Sequence, residues 1–128
     1  MSRFVRPETR TLTLANGDQL IVRARLTAGE QRAQYARAYT PGPDGRLVVN
    51  PLMVGVGGVV AYLLDWNLKD DAGQAVPIRD LSAADLHQVL DSLDPADFAE
   101  IRAAIEAHEQ TMQAERDAQK KMPNGGTP

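Results

Sequence analysis

Residues 9–26 read TRTLTLANGDQLIVRARL, and this stretch decides the fold. Leucines alternate with threonines before Asn16-Gly17, and apolar residues occupy the even-numbered positions after it. Alternation with a period of two places one set of side chains on one face of a strand. Asn-Gly is the strongest short signal for a type I′ turn, which needs positive φ at both central residues. We therefore predict a β-hairpin over residues 9–26.

The residues after the hairpin start a short helix. Thr27, with Glu30 three residues later, matches a capping box, in which each side chain accepts a hydrogen bond from the other residue's backbone N–H. This pattern predicts a helix over about 28–38. Residues 39–45 then contain two prolines and two glycines, which are typical of a flexible loop. This loop is the best candidate for a segment that a partner orders.

The most apolar part of the chain follows the loop. Residues 47–64 carry no charge, but three glycines interrupt them, and a membrane span needs about 20 predominantly apolar residues. A buried helix is therefore a better interpretation than a membrane helix. Asn50-Pro51 supplies an N-cap and a proline at the first helical position. We predict a helix over 51–66 whose glycines allow another helix to approach closely.

Two further helices are predicted near the end of the chain. Ser82 is a suitable N-cap for a helix over about 83–93. Asp94-Pro95 begins a longer helix over about 95–120, with apolar residues at spacings of three and four. Both helices are therefore expected to pack one face on a core.

Length and composition bound the architecture. A chain of 128 residues corresponds to one domain, and a hydrophobic content of 43% supports a packed core. We predict an α+β fold that is mainly helical, with about four helices and an N-terminal β-hairpin, in a single domain over residues 1–121. Residues 122–128 are predicted to be a disordered tail.

Charge is distributed unevenly along the chain. Residues 1–46 carry eight arginines against four acidic residues, whereas residues 47–128 carry six basic against 13 acidic residues. Nucleic-acid-binding proteins usually concentrate basic charge in one patch, so we do not expect nucleic acid as a partner. A membrane is not expected either, because the longest apolar run is interrupted by glycines. No apolar leader segment opens the sequence, which predicts a cytoplasmic location.

The residues that usually carry chemistry do not form a recognisable set. Cysteine is absent, and His87 and His108 lie on different predicted helices without neighbours at metal-ligand spacing. The glycines at positions 55–58 lack the Lys-Ser/Thr of a phosphate-binding loop. We predict no catalytic, cofactor or metal site, although a triad that assembles only in space leaves no trace in a sequence. His108 is interpreted as a packing residue.

Two features are candidates for protein binding. A lone two-stranded hairpin is marginal in water, so it must pack on the helices, pair with another subunit, or both. Arg23 and Arg25, on its outer face, are interpreted as protection of a strand edge. The second half of the last helix, residues 110–121, has few apolar residues. We expect it to project from the core, either as a solvated helix end or as a partner-binding arm.

Several short motifs follow one another in an order that resembles one protein family. They precede the hairpin, span the first helix cap, end the second predicted helix and continue into the last helix. In sequence order they are Arg6-Pro7-Glu8-Thr9, Leu26-Thr27-Ala28-Gly29-Glu30-Gln31, Tyr62-Leu63-Leu64-Asp65-Trp66-Asn67-Leu68, Asp71-Ala72-Gly73, Val76-Pro77-Ile78, Leu90 and Phe98 through His108. This order resembles the tail assembly chaperones of long-tailed bacteriophages and prophages, small proteins encoded beside the tape-measure gene. The resemblance covers most of residues 6–109.

The resemblance implies a function and its partners. Such chaperones are thought to coat the long, apolar tape-measure protein, recruit tail-tube subunits and leave before the virion is complete. The expected partners are therefore the tape-measure protein and the tail-tube protein, met in the host cytoplasm, and a homo-oligomer is also expected. The family has no active site, so no catalytic residue is transferred and the protein is not expected to be an enzyme.

A helical tape-measure segment would need an apolar groove on the chaperone. We predict that Val56, Val60, Leu63 and Trp66 border this groove, and the alternative is that they belong to the core. A competing function is that of a structural phage component, such as a head–tail connector, tail terminator or minor tail protein. An enzyme or regulator outside phage biology is a further alternative. A DNA-binding regulator is disfavoured by the lack of a basic cluster on one helix.

Overall fold

The computed structural model describes residues 3–121, which form four helices and two small antiparallel sheets. In chain order the elements are β1 (Thr9–Thr13), β2 (Gln19–Arg23), α1 (Ala28–Arg37), β3 (Tyr39–Pro41), β4 (Leu47–Val49), α2 (Pro51–Tyr62), β5 (Leu63–Trp66), α3 (Ala83–Asp91) and α4 (Pro95–Lys121). The predicted α+β class, mainly helical with an N-terminal hairpin, is confirmed. The predicted tail, residues 122–128, lies outside the described residues.

The N-terminal hairpin forms as predicted, but its turn is of another type. Only Gly17 in the loop has positive φ, at 93°, so the type I′ prediction for Asn16-Gly17 is wrong. The Gly17 N–H donates to the Leu14 carbonyl, and the Leu14 N–H donates to the Asp18 carbonyl. These bonds define a three-residue loop, in which a type I turn ends in a left-handed glycine. The Asn16 carboxamide oxygen accepts the Asp18 N–H at 3.0 Å and stabilises this turn.

The first three helices begin at the side-chain caps that the sequence predicts. Thr27 and Glu30 form the complete capping box of α1. The Asn50 side chain accepts the Leu52 N–H at 3.0 Å at the start of α2, and the Ser82 hydroxyl caps α3. The bounds of α1, α3 and α4 agree with the predictions to within two residues.

The second predicted helix ends four residues early. Residues 63–66 leave the helix and form β5, which pairs antiparallel with β2. Trp66 lies opposite Leu20, and Leu63 lies opposite Val22, with a register shift between the two pairs. The prediction of helix through residue 66 was wrong because pairing with β2 buries Leu63 and Trp66 and satisfies their backbone groups, which overrides the local helical pattern.

The predicted flexible loop at 39–45 belongs to a second hairpin. Strand β3 pairs with β4, so that Tyr39 faces Val49 and Pro41 faces Leu47. Gly45 turns the chain with a φ of 81°. The loop prediction was wrong because the prolines and glycines of this stretch mark the turn and edge of a hairpin, positions where both residue types are common.

The hydrophobic core lies between the three-stranded sheet and the helices α2, α3 and α4. Strand β2 is the central strand of the sheet order β1-β2-β5. The largest fully buried side chains are Leu20, Val22, Val59, Ile101 and Ile105. Beyond Met112, every residue of α4 from 113 to 120 is exposed, as predicted for a projecting helix end. No helix within residues 3–121 is long and apolar enough to cross a membrane.

Helix α1 approaches α2 closely at Gly57. A Cβ atom at this position would lie 3.1 Å from the backbone carbonyl oxygen of Gln34 and 3.6 Å from the Arg37 Cβ. A Cβ atom at Gly58 would meet only the flexible side-chain amide of Gln34, at 3.4 Å. The prediction that these glycines allow close helix packing is confirmed at Gly57.

We expect Gly57→Ala to be less stable than Gly58→Ala. Both changes replace a helical glycine by alanine, which by itself stabilises a helix by about 1 kcal/mol. At position 57 the new methyl group must displace the α1 backbone, and overpacking of this kind costs about 1–3 kcal/mol. Urea unfolding of the two variants measures the difference. Equal free energies of unfolding would contradict the close approach of α1 and α2.

Candidate protein-binding surface

The four residues predicted to border a groove lie in or against the core. Val60, Leu63 and Trp66 are buried, and Val56 is half-buried and packs against the same cluster. The Trp66 indole N–H donates to the Val76 carbonyl oxygen at 2.7 Å. These side chains already have apolar neighbours within the protein, so they offer little area to a partner. Whether they contribute to binding stays a prediction.

Arg23 joins three elements to the central strand. Its Nε lies 2.8 Å from Glu30 Oε2 in α1, and its Nη1 donates to the Ala61 carbonyl oxygen at 3.0 Å in α2. Its own carbonyl oxygen is 2.9 Å from His108 Nε2 in α4. Because a carbonyl oxygen can only accept, His108 Nε2 donates this bond. Arg23 is thus a structural junction.

The interpretation of Arg23 and Arg25 as edge protection is wrong. Strand β2 is flanked on both sides, by β1 and β5, so it has no open edge to protect. Arg23 is held in internal bonds. Arg25 lies just beyond the strand, half-buried, and the structure shows no ion pair for it within residues 3–121.

A cleft of about 620 Å³ brings together three of the six predicted binding residues. Arg23, Val60 and Leu63 line it, together with Asp65 and Arg79. Two ion pairs lie in this lining, since Arg79 donates twice to Asp65 Oδ2, at 2.8 and 3.1 Å, and Arg23 pairs with Glu30. Arg37 also lines the cleft, and its Nη1 is buried without a hydrogen-bond partner among the described residues. The cleft therefore combines apolar side chains with two ion pairs that are already formed and one unpaired guanidinium nitrogen.

The two histidines occupy unrelated environments. His108 is buried, as the packing interpretation predicts, and its ring meets the Tyr62 ring edge to face at a centroid distance of 5.8 Å. Burial, aided by the negative charge of Glu109, raises the pKa of Tyr62 to about 12. The Nε2 atom of His87 lies 3.4 Å from Oδ1 of Asp91, which is one helical turn further along α3. Within residues 3–121, no group of three or more His, Asp or Glu side chains is arranged to hold a metal ion.

Exposed apolar side chains concentrate around the second hairpin. Leu47, which directly follows the β3–β4 turn, is 67% exposed, and Leu52, in the first turn of α2, is 84% exposed. The strand register places Tyr39, Pro41, Leu47 and Val49 on one face of this two-stranded sheet. We use the term apolar surface for the exposed residues Tyr35, Tyr39, Leu47, Val48, Val49, Leu52 and Val54, of which Val48 lies on the opposite face of the two-stranded sheet.

Sequence reasoning missed the apolar surface because it treated residues 47–64 as one buried run. A signal for it was present. Leu47-Val48-Val49 is a short β-prone stretch, and it follows Asp44-Gly45, a dipeptide typical of hairpin turns. Pairing it with Tyr39-Thr40-Pro41 would have predicted a hairpin too short to bury its side chains.

Comparisons with protein-family models, with curated proteins and with solved structures found no match. Any functional proposal therefore rests on the sequence and the geometry of the chain itself.

The Arg23–Glu30 pair predicts a contribution to stability that depends on pH. Partial burial alone would raise the pKa of Glu30, but hydrogen bonding by Thr27 and the charge of Arg23 outweigh it and hold the pKa below 4.5. A lowered carboxyl pKa in the folded state stabilises the protein above pH 4.5, and this contribution is lost as the pH falls through the folded value. The pair is about one-third exposed, so the effect is expected to be small.

The measurement is the free energy of unfolding at neutral pH and in steps below pH 4.5, for the wild type and for Glu30→Gln. Glutamine keeps an oxygen that caps α1 but does not titrate. We expect the variant to be less sensitive to acid than the wild type. Parallel acid profiles for the two proteins would show that the ion pair does not stabilise the fold.

Proposed function

We propose that the protein is a phage tail assembly chaperone, which binds the tape-measure protein and recruits tail-tube subunits in the host cytoplasm. The order of sequence motifs is the source of this proposal. The observation that carries it is the apolar surface, because a protein that works alone in water gains nothing from leaving such residues uncovered.

The apolar surface has the character of a binding site for an apolar chain. Large contiguous apolar patches are rare on monomeric proteins and commonly mark interaction sites. The residues of the apolar surface come from the end of α1, from both strands of the second hairpin and from the first turn of α2. None belongs to the buried cluster around β2. A partner therefore covers them without opening the core.

A tape-measure helix has the complementary property. Such a helix presents long apolar stretches, which aggregate until another chain covers them. One chaperone covers only a short stretch with this surface, so many copies must bind along one filament. Weak contacts repeated in this way give tight overall binding and still allow each copy to leave.

The projecting part of α4 is proposed as the contact for tail-tube subunits. Residues 113–120 are all exposed and mostly charged or polar, and they lie beyond the last buried residue of the helix, Met112. A polar arm suits a partner that is itself folded and water-soluble. The two partners would thus bind at different places on one chaperone.

The first test alters the apolar surface alone. We expect Tyr39→Glu/Leu52→Glu to reduce severalfold the amount of tape-measure protein kept in solution on coexpression, because two buried charges would oppose an apolar contact. Both residues are exposed, so the fold is expected to persist. The measurement is the soluble fraction and the amount of tape-measure protein that copurifies.

The matched control is Gln110→Glu/Gln113→Glu, which adds the same charge at exposed positions of α4. It is expected to behave as the wild type in this assay. If the wild type itself does not increase the solubility of the tape-measure protein, the chaperone proposal is rejected. If both double variants fail equally, the apolar surface is not the contact.

Quantitative mass spectrometry of purified virions separates the proposal from its main competitor. A chaperone leaves before assembly ends, so we expect its peptides in infected-cell lysates but not in particles. Tail-tube peptides, present in both samples, serve as the internal standard. Stoichiometric recovery of the protein from particles would instead identify a structural component.

A further inference from the structure

The second hairpin has one open edge and one blunted edge. Two hydrogen bonds bracket its ladder: the Gly42 N–H donates to the Arg46 carbonyl at 2.7 Å, and the Asn50 N–H donates to the Ala38 carbonyl at 2.6 Å. In antiparallel strands, hydrogen-bonded and non-hydrogen-bonded pairs alternate. The pairs of β4 residues 47 and 49 with β3 are therefore non-hydrogen-bonded, and the backbone groups of these residues point away from the hairpin.

On β3 the corresponding outward residues are Tyr39 and Pro41, and Pro41 has no N–H to offer. Proline is a common device that prevents pairing at a strand edge. On β4 both outward residues, Leu47 and Val49, keep their N–H and carbonyl groups. The structure shows no partner for these four groups within residues 3–121.

We infer that β4 pairs antiparallel with β4 of a second copy of this chain, on a two-fold axis at Val48. This register sets Leu47 opposite Val49 of the second copy, and Val49 opposite Leu47. All four outward groups on each copy then find a partner. The two hairpins become one four-stranded sheet, which removes the instability of a two-stranded sheet with strands of three residues.

Side chains beside the edge favour this occupant over a strand of another protein. In the antiparallel register, Arg46 faces Asn50 of the second copy and not its Arg46, so no like charges meet. Apolar side chains face apolar side chains at all three positions of β4, because Val48 meets its own equivalent. The edge is thus complementary to itself in hydrogen bonds, in charge and in hydrophobicity.

The area sets the strength of the contact. Two strands of three residues bury well under the ~1,600 Å² of a standard interface, so the dimer is expected to be weak and reversible. Pairing occurs in the plane of the sheet and leaves its faces open. The apolar face with Tyr39 and Pro41 would continue into the same face of the second copy. The inference of a dimer does not rest on the proposed function.

The test compares Val49→Pro with Val49→Thr by analytical ultracentrifugation over a wide concentration range. Proline removes an outward N–H without breaking a hydrogen bond of the hairpin, and Pro41 shows that this ladder accepts proline at such a position. Threonine is β-branched and keeps the N–H. We expect a wild-type dimer of twice the 13.9 kDa chain mass. Val49→Pro should raise its dissociation constant at least tenfold, and Val49→Thr should change it much less.

NMR-detected amide exchange on the wild type decides the question even if Val49→Pro does not fold. The amides of Leu47 and Val49 should become protected as the concentration rises, while the Val48 amide, which lies in the hairpin ladder, is protected throughout. A monomer at all concentrations would overturn the inference. So would a dimer in which both amides exchange freely, or protection that appears only when another protein is added.

Discussion

Bonds that converge on Arg23, at the end of the central strand, set the positions of three helices relative to the sheet. Its side chain holds α1 through Glu30 and α2 through the Ala61 carbonyl, and its backbone carbonyl receives a hydrogen bond from His108 of α4. The strand itself carries the fully buried Leu20 and Val22. Three helices are thus fixed relative to one strand, and the three-stranded sheet is closed against them on one face. What remains outside this arrangement is the second hairpin.

The apolar side chains of the three-stranded sheet, which lies against helices, are buried or half-buried, whereas those of the second hairpin are exposed. The β1-β2-β5 sheet is covered by helices, whereas the β3–β4 sheet comes between the end of α1 and the start of α2 in the chain and has two strands. Its side chains are no less apolar, but most of them stay exposed in the part of the chain that the structure describes. Under the proposed function, this hairpin binds the partner, and the hydrophobic core around β2 supports it. Exposed apolar side chains are concentrated at the second hairpin, so a partner can bind there without disturbing the hydrophobic core.

Local signals predicted most of the fold, and long-range pairing determined the rest. The caps at Thr27 and Asn50 act within three residues, so they are visible in the sequence and the helices begin where they predict. The run from 47 to 66 contains an exposed strand, a helix and a buried strand, and hydropathy looks alike in all three. Only pairing with β2, more than 40 residues earlier, makes Leu63–Trp66 a strand. The burial of Leu63 and Trp66, two of the predicted groove residues, follows from the same pairing.

The central claim is that the apolar surface binds the tape-measure protein, and methyl NMR tests it most directly. The protein is labelled at its Leu and Val methyl groups and titrated with a helical segment of the tape-measure protein. The account predicts chemical-shift changes at Leu47, Val48, Val49, Leu52 and Val54, with the methyl groups of the buried Leu20 and Val59 unchanged. Changes confined to the cleft, at Leu63, Leu64, Leu81 and Leu86, or no changes at all, would contradict it.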